Sequence, residues 1–379
     1  MPDPFKNEYN SEMITQMGYH LKRAWKGFDK NEFVKTAVRN LENLELKERI
    51  AHIANALSIY LPSDYNQSVS ILHKALAPEQ EDWQTGKELG VTGWATLPFN
   101  HYVSQHGLAH FDVSMAFFKA STSRFSAEFD IRFFLISDQA RTLALLKKWT
   151  KDPNYHVRRL VSESTRPRLP WAMRLQSFID DPTPIFPLLE TLRDDEEEYV
   201  RRSVANNLND ISKDHPELVE KIAKAWLKNA DQNRKRLVKH ACRTLIKQGH
   251  KSTLKTLGYN DPAITVEKLN VQTPHVTFGG TLVFDIILRS ASDKPQNLIV
   301  DYVIHHRKAN GSTSPKVFKW KMTVLKPNAV LHARKSHAIR KITTRRYYHG
   351  THSVEILVNG VSLSKQNFEL SVINENGDK

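Results

Sequence analysis

At about Ile264 the spacing of apolar residues changes from three and four to two. Before that point, segments such as EFVKTAVRNLENL (32–44) and ERIAHIANALSIYL (48–61) repeat their apolar residues at helical intervals, and prolines and glycines fall between segments. After it, TLVFDIILRS, LIVDYVIHHRK, KVFKWKMTVL, AVLHARKSHA, HSVEILVNG and NFELSVI alternate apolar with polar residues, separated by turn-formers such as KANGSTS. A helix buries a stripe and a strand buries every second residue, so the two halves need different packing partners. The chain therefore reads as a helical domain over residues 1–260 followed by an all-β domain over 264–375.

The helical half contains a repeat. DPNYHVRRLVSE, DDEEEYVRRSVANNL and DQNRKRLVKHACRTL each place acidic or polar residues ahead of a Val-Arg-Arg or Val-Lys-His step that opens an apolar helix. Val157, Val200 and Val238 lie 43 and 38 residues apart (200−157 and 238−200), the period of HEAT-type helix pairs. Such pairs stack into a solenoid. The β half has about seven short strands with turns every eight to twelve residues, the pattern of an immunoglobulin-like sandwich.

Charge narrows the function. The 379 residues carry 55 Lys+Arg against 41 Asp+Glu, a formal charge of +14. Residues 264–379 alone hold 17 basic and 8 acidic side chains, or +9. An anionic partner is the expectation, with nucleic acid and an anionic membrane surface both qualifying. No apolar run approaches the roughly 20 residues of a membrane span, and MPDPFKNEYN lacks the order of a secretory signal, so a cytoplasmic location is expected. The single cysteine, Cys242, excludes an intramolecular disulfide and a cysteine-rich metal site, and its apolar neighbours mark it as a buried structural thiol.

Basic residues recur at the same point of each repeat: Arg158 and Arg159, then Arg201 and Arg202. Arg236, Lys239, His240, Arg243 and Lys247 follow at helical spacing as one stripe. Stacked repeats would line these along one edge, suiting a phosphate backbone, although one arginine of each pair is also expected to bond acids of the next repeat. In STRPRLPW (164–171) two prolines are expected to hold the chain extended, adding Arg166 and Arg168 to the track and placing Trp171 at its end. Trp171 is read either as a π face for a cationic substrate or as packing at a helix start.

Two acids adjoin this region. Glu128, in RFSAEFDIRFFL, shares a helical face with Phe125, Phe129 and Arg132, and an i,i+4 pair with Arg132 would by itself explain it. Asp210 ends the stripe Arg202, Asn206, Asp210 at a helix C-terminus, where it opposes the macrodipole; it serves chemistry or caps the ISKDHP turn. Two carboxylates, an aromatic plate and a phosphate track are the parts needed to hydrolyse an N-glycosidic bond. A DNA-binding solenoid without catalysis and a protein scaffold remain as alternatives.

HVRRLVSESTRPRLPWAMRL, EYVRRSVANNLNDISKDHP and LVKHACRTLIKQG, with AEFDIRFFL upstream, closely resemble the AlkC branch of the AlkC/AlkD alkylpurine DNA glycosylases, over nearly the whole chain. The resemblance implies a HEAT-like bacterial base-excision enzyme, some members of which carry a C-terminal immunoglobulin-like domain. It implies Asp210 as catalytic aspartate, Glu128 as second acid and Trp171 as the lesion-facing tryptophan. Also implied are removal of cationic methylated bases, chiefly 3-methyladenine and also 3-methylcytosine, from bent double-stranded DNA without base flipping, and no metal or cofactor. The DNA-contacting set expected from the track and this resemblance is Arg158, Arg159, Arg166, Arg168, Arg201, Arg202, Asn206, Arg236, Lys239, His240, Arg243 and Lys247, with the immunoglobulin-like domain closing around the other side of the duplex. One enzyme on one duplex site is expected to work as a monomer. Ser164 and Phe133 depart from the family pattern, which expects glycine and proline there.

Overall fold

The computed structural model describes residues 4–79, 86–343 and 345–372. Helices fill the chain from Ser11 to Thr256 and strands follow from Ile264 to Ser371, so the change of period marks the change of structure. The chain groups into two compact units, Met1–Asp214 with Asp231–Ala241, and His215–Ala230 with Cys242–Lys379.

In the first unit, local chemistry starts the helices that matter here. Asn154 accepts a hydrogen bond from the His156 amide (2.8 Å) and opens the helix Tyr155–Ser164; Asp138 does the same for Gln139–Trp149 through the Arg141 amide (3.1 Å). The helix Glu198–Ile211 buries Val200, Val204, Leu208 and Ile211, spaced as one stripe. It packs between Tyr155–Ser164 and Gln232–Ala241. The repeat valines Val157, Val200 and Val238 are all buried on these three helices. Arg158 joins successive repeats: Nε and Nη2 donate to the Asp195 carboxylate (2.7 and 3.0 Å) and Nη1 to the carbonyls of Asp152 and Pro153.

In the second unit the described residues form eight strands, β1 (Ile264–Val271), β2 (His275–Thr277), β3 (Thr281–Ser290), β4 (Gln296–Arg307), β5 (Thr313–Leu325), β6 (Val330–Ala338), β7 (Gly350–Val358) and β8 (Val361–Ser371). They form a three-stranded sheet, β1-β3-β6, and a five-stranded sheet, β2-β8-β7-β4-β5. Every pairing is antiparallel except β2 with β8. Alternate residues of facing strands, among them Phe284, Ile286 and Leu288 with Val354, Ile356 and Val358, make one core, as the period of two requires. Helices between 242 and 258 belong to this unit: Asn297 donates to the Gly258 carbonyl, and Gly249 lies so close to Gly360 that a side chain on Gly360 would meet its backbone at 2.8 Å.

Candidate active site

Glu128 does not lie on a helix and does not pair with Arg132, as the i,i+4 reading expects. It occupies the turn that precedes the helix Ile131–Ser137, so the geometry of that pair is missing. Its carboxylate instead receives Arg159 from the helix Tyr155–Ser164, at 3.1 and 3.4 Å. Arg159 continues to Glu163, one turn along the same helix (3.6 Å). The Glu163 carboxylate accepts Arg166 Nη1 at 2.7 Å and the Ser203 hydroxyl at 2.6 Å. Arg166 Nε then donates to Asp210 Oδ2 (2.8 Å), while Lys213 Nζ donates to Oδ1 (3.0 Å). The two candidate acids are thus the outer carboxylates of one alternating chain: Glu128, Arg159, Glu163, Arg166, Asp210, Lys213.

Burial makes the two glutamates of this chain unequal. Burial pushes the Glu128 carboxyl up, opposed by Arg159 and reinforced by the like charge of Glu163. Burial also acts on Glu163, but Arg159, Arg166 and the Ser203 bond outweigh it and hold that carboxyl below its ordinary range. Two nearby carboxylates pushed in opposite directions are a common arrangement in sites that move protons. Asp210 sits in the last turn of Glu198–Ile211, where the macrodipole disfavours an anion, and the two cations on its oxygens compensate.

Above Glu128 opens a cleft of about 570 Å³, walled by Trp94, Phe125, Tyr155, Tyr199 and Trp171, with Glu128 and Arg159 in its lining. The Arg159 guanidinium lies 5.1 Å from the Tyr199 ring centre. An aromatic wall beside a carboxylate favours a flat cationic group over a neutral one.

The stretch that carries Trp171 is folded into turns rather than held extended. Each proline still keeps its predecessor out of the helix, but Leu175 N–H bonds the Pro167 carbonyl (3.1 Å) and Ala172 N–H that of Leu169 (3.3 Å). Arg132 gathers the whole loop from inside. It is 0 % exposed, donates Nε and Nη2 to the Met173 carbonyl, and sends Nη1 to the carbonyls of Ser164 (2.8 Å) and Arg166 (2.7 Å). Trp171 emerges at φ 65°, a left-handed conformation rare for a bulky residue, and is 53 % exposed. Ser164 is wholly buried, and Phe133 lines a second, apolar groove on which Trp171 and Met173 also border.

The expected DNA-contacting residues divide. Arg158 and Arg166 are buried and Arg159 is half-buried at the cleft, all three held in the ion pairs just described, and Arg168 forks onto Asp214 (2.8 and 2.7 Å). Arg201, Arg202, Arg236 and His240 rim a groove between the helices Glu198–Ile211 and Gln232–Ala241, with Asn206 bonded to the His240 ring. Arg201 is anchored there by the carbonyls of Asp195 and Glu196, and Arg202 by Glu198 (2.7 Å). Lys239 is exposed on the same helix. The stripe breaks at Cys242, where that helix has ended; Arg243 and Lys247 sit on the next helix, Arg243–Gln248. Cys242 itself is buried, and burial pushes its thiol up to about 12. Glu163 and Arg132 carry roles the motifs leave unassigned. The signal for Glu163 was present, since it stands four residues after Arg159 and three before Arg166.

Residues 128–248 match the family described as DNA alkylation repair enzyme, and residues 265–372 match the C-terminal Ig-like domain of the uncharacterised protein YhaZ. YhaZ of Bacillus subtilis (strain 168) is 36 % identical over 367 residues, spanning 96 % of this chain and 99 % of the relative. The solved alkylpurine DNA glycosylase AlkC of Pseudomonas fluorescens, bound to DNA containing an abasic site analog, superposes with a TM-score of 0.88 at 36 % identity, covering 97 % of this chain and 99 % of that one. The helical part followed by an immunoglobulin-like domain, the matched repair segment and this full-length similarity agree: the chain belongs to the AlkC-type family of DNA alkylation repair enzymes.

Proposed function

We propose that the protein is a monofunctional DNA glycosylase that releases cationic methylated bases, 3-methyladenine and also 3-methylcytosine, from bent duplex DNA without flipping the base into a pocket. The observation that carries this reading is the chain from Glu128 to Asp210 beside an aromatic cleft. The relative solved with an abasic analog supports it, because an abasic sugar is what base release leaves behind.

In the reaction the bond between C1′ and the base nitrogen breaks and its electron pair leaves with the base. That pair cancels the positive charge of a methylated base, so no acid is needed to protonate the leaving group. The sugar becomes oxocarbenium-like, and Asp210 and Glu128 supply opposite charge to it. Water adds to C1′ and gives up a proton; Glu128, with its raised proton affinity, is the acceptor. Trp171 presents its π face to the cationic centre. Arg201, Arg202, Arg236, Lys239 and His240 hold phosphates, while Arg166 acts on the reaction by holding Asp210 rather than by touching DNA. No step calls for a metal or a cofactor.

The test is release of free base from methylated DNA, with Asp210→Asn beside the parent. The variant is expected to lose at least about a hundredfold in release rate while still binding DNA. Full activity in the variant removes Asp210 from the chemistry. The near-complete burial of Asp210 favours a second reading, a DNA-binding repeat protein in which Asp210 is only a structural counter-ion. Binding without release by either protein would establish that reading instead.

A further inference from the structure

Phe5 is 54 % exposed, an unusual state for a phenylalanine that is also firmly held. The turn Phe5–Glu8 is anchored on the residues that follow. Buried Arg49 donates Nη1 to the carbonyls of Lys6 and Tyr9, both at 2.9 Å, and Lys6 Nζ lies 2.6 Å from the Glu45 carboxylate. The Tyr9 hydroxyl reaches the Trp94 carbonyl at 2.9 Å, tying this turn to the wall of the Glu128 cleft. So placed, the Phe5 ring stacks on Trp94 (5.3 Å, 30°) and meets the indole of Trp171 edge-on (5.8 Å, 65°). Offset stacking and edge-on contact are the favourable geometries for aromatic pairs.

Trp171 needs such a contact. Arg132 fixes the backbone on either side of it, but a half-exposed indole retains freedom about its own two side-chain torsions. A left-handed tryptophan persists only where its surroundings hold it. We infer that Phe5 is a positioning residue for Trp171: its ring holds the indole at the rim of the cleft, so that base release occurs against a fixed π face. This rests on the reading above that Trp171 faces the lesion.

The experiment is a double-mutant cycle on base release from methylated DNA with enzyme in excess, using Phe5→Ala, Trp171→Ala and both together. Phe5→Ala is expected to slow release about fivefold with DNA affinity changed by less than about twofold, and Phe5→Tyr to restore the rate. In the Trp171→Ala background, Phe5→Ala is expected to add nothing. An unchanged rate in Phe5→Ala, or the same loss with and without Trp171, overturns the inference. A second measurement does not depend on activity: acrylamide quenching of Trp171 emission, taken as the difference from Trp171→Phe with and without Phe5→Ala. Quenching is expected to rise when Phe5 is removed; equal quenching overturns the inference. Should the parent protein release no base, the functional reading fails, and the quenching result still decides whether Phe5 holds Trp171.

Discussion

Among the described residues Arg132 is a charge buried without a carboxylate on its nitrogens, and its four donor contacts there all end on carbonyls of the segment 164–173. Burial, together with the like charge of Arg166, pushes its guanidinium down to about 10, so it remains charged at neutral pH. Each carbonyl left without a donor in that interior costs about 1–3 kcal/mol. Arg132→Met is therefore expected to lower unfolding free energy by at least about 3 kcal/mol in urea titration, with Arg132→Lys intermediate because an ammonium cannot serve three separated carbonyls in a plane. A loss below about 1 kcal/mol for Arg132→Met would mean that the loop holds itself. At this scale the sequence is legible where the signal is local. Asp210 stands out because it breaks a rule of its own helix, and Glu163 was readable from its spacing to two arginines. The partner of Glu128 was not: a turn at 128–130 replaces the expected helix, and Arg159 arrives from 31 residues away. Likewise Arg166 reads as a surface cation until Asp210, 44 residues on, claims it.

Among the elements, β4 shows what alternation conveys and what it hides. Its neighbours on both sides, β5 and β7, were recoverable as strands from their period of two, but β4 is buried on both faces from Leu298 to Ile304 and again at His306, and among its buried titratable groups Asp301 and His306 have opposite preferences. Burial pushes Asp301 up to about 6 despite Lys319, and its Oδ1 has no hydrogen-bond partner among the described residues. Burial, reinforced by Arg345 and by His352, His337 and His305, pushes His306 down to about 3, and neither of its ring nitrogens has a partner among the described residues. The signs follow from which state binds protons. Between about pH 4 and 6 the folded state holds a proton on Asp301 that the unfolded chain releases, so stability is lost as pH rises. Between about pH 6.5 and 3 the unfolded chain protonates a histidine that the fold keeps neutral, so stability is lost as pH falls. The two slopes oppose each other within one strand. Asp301→Asn is expected to gain on the parent as pH rises from 4 to 6, and His306→Phe to gain on it as pH falls below 6.5, each by up to about 1.4 kcal/mol per pH unit in urea titration. Parallel curves for parent and variant would refute the corresponding assignment.

For the whole molecule, the change of period at Ile264 correctly marks where helix gives way to strand, but it carries no information about which helices pack with the sheets. Residues 215–230 and 242–263 share a compact unit with the strands, through contacts such as the Asn359 side chain on the Asn260 and Asn297 carbonyls, which no local pattern announces. Deleting residues 264–379 would cut through that unit, so the role of its charge is better tested by substitution. Arg340, Lys341, Arg345 and Arg346 crowd one loop before β7, with Arg345 and Arg346 over the rings of Tyr347 and Tyr348 and with Ile342 exposed among them. Four cations gathered around one exposed side chain can pair with the phosphates of a duplex. Each phosphate contact contributes about −0.9 to the slope of log affinity against log salt. Replacing these four residues by alanine in the full chain is expected to make that slope shallower by about 3 to 4. The same change made in Arg201, Arg202, Arg236 and Lys239 gives the contribution of the helical groove. A slope that moves only with the helical set would confine phosphate binding to the repeats, and the +9 of the β domain would then act at longer range, on the rate of encounter rather than in the bound complex.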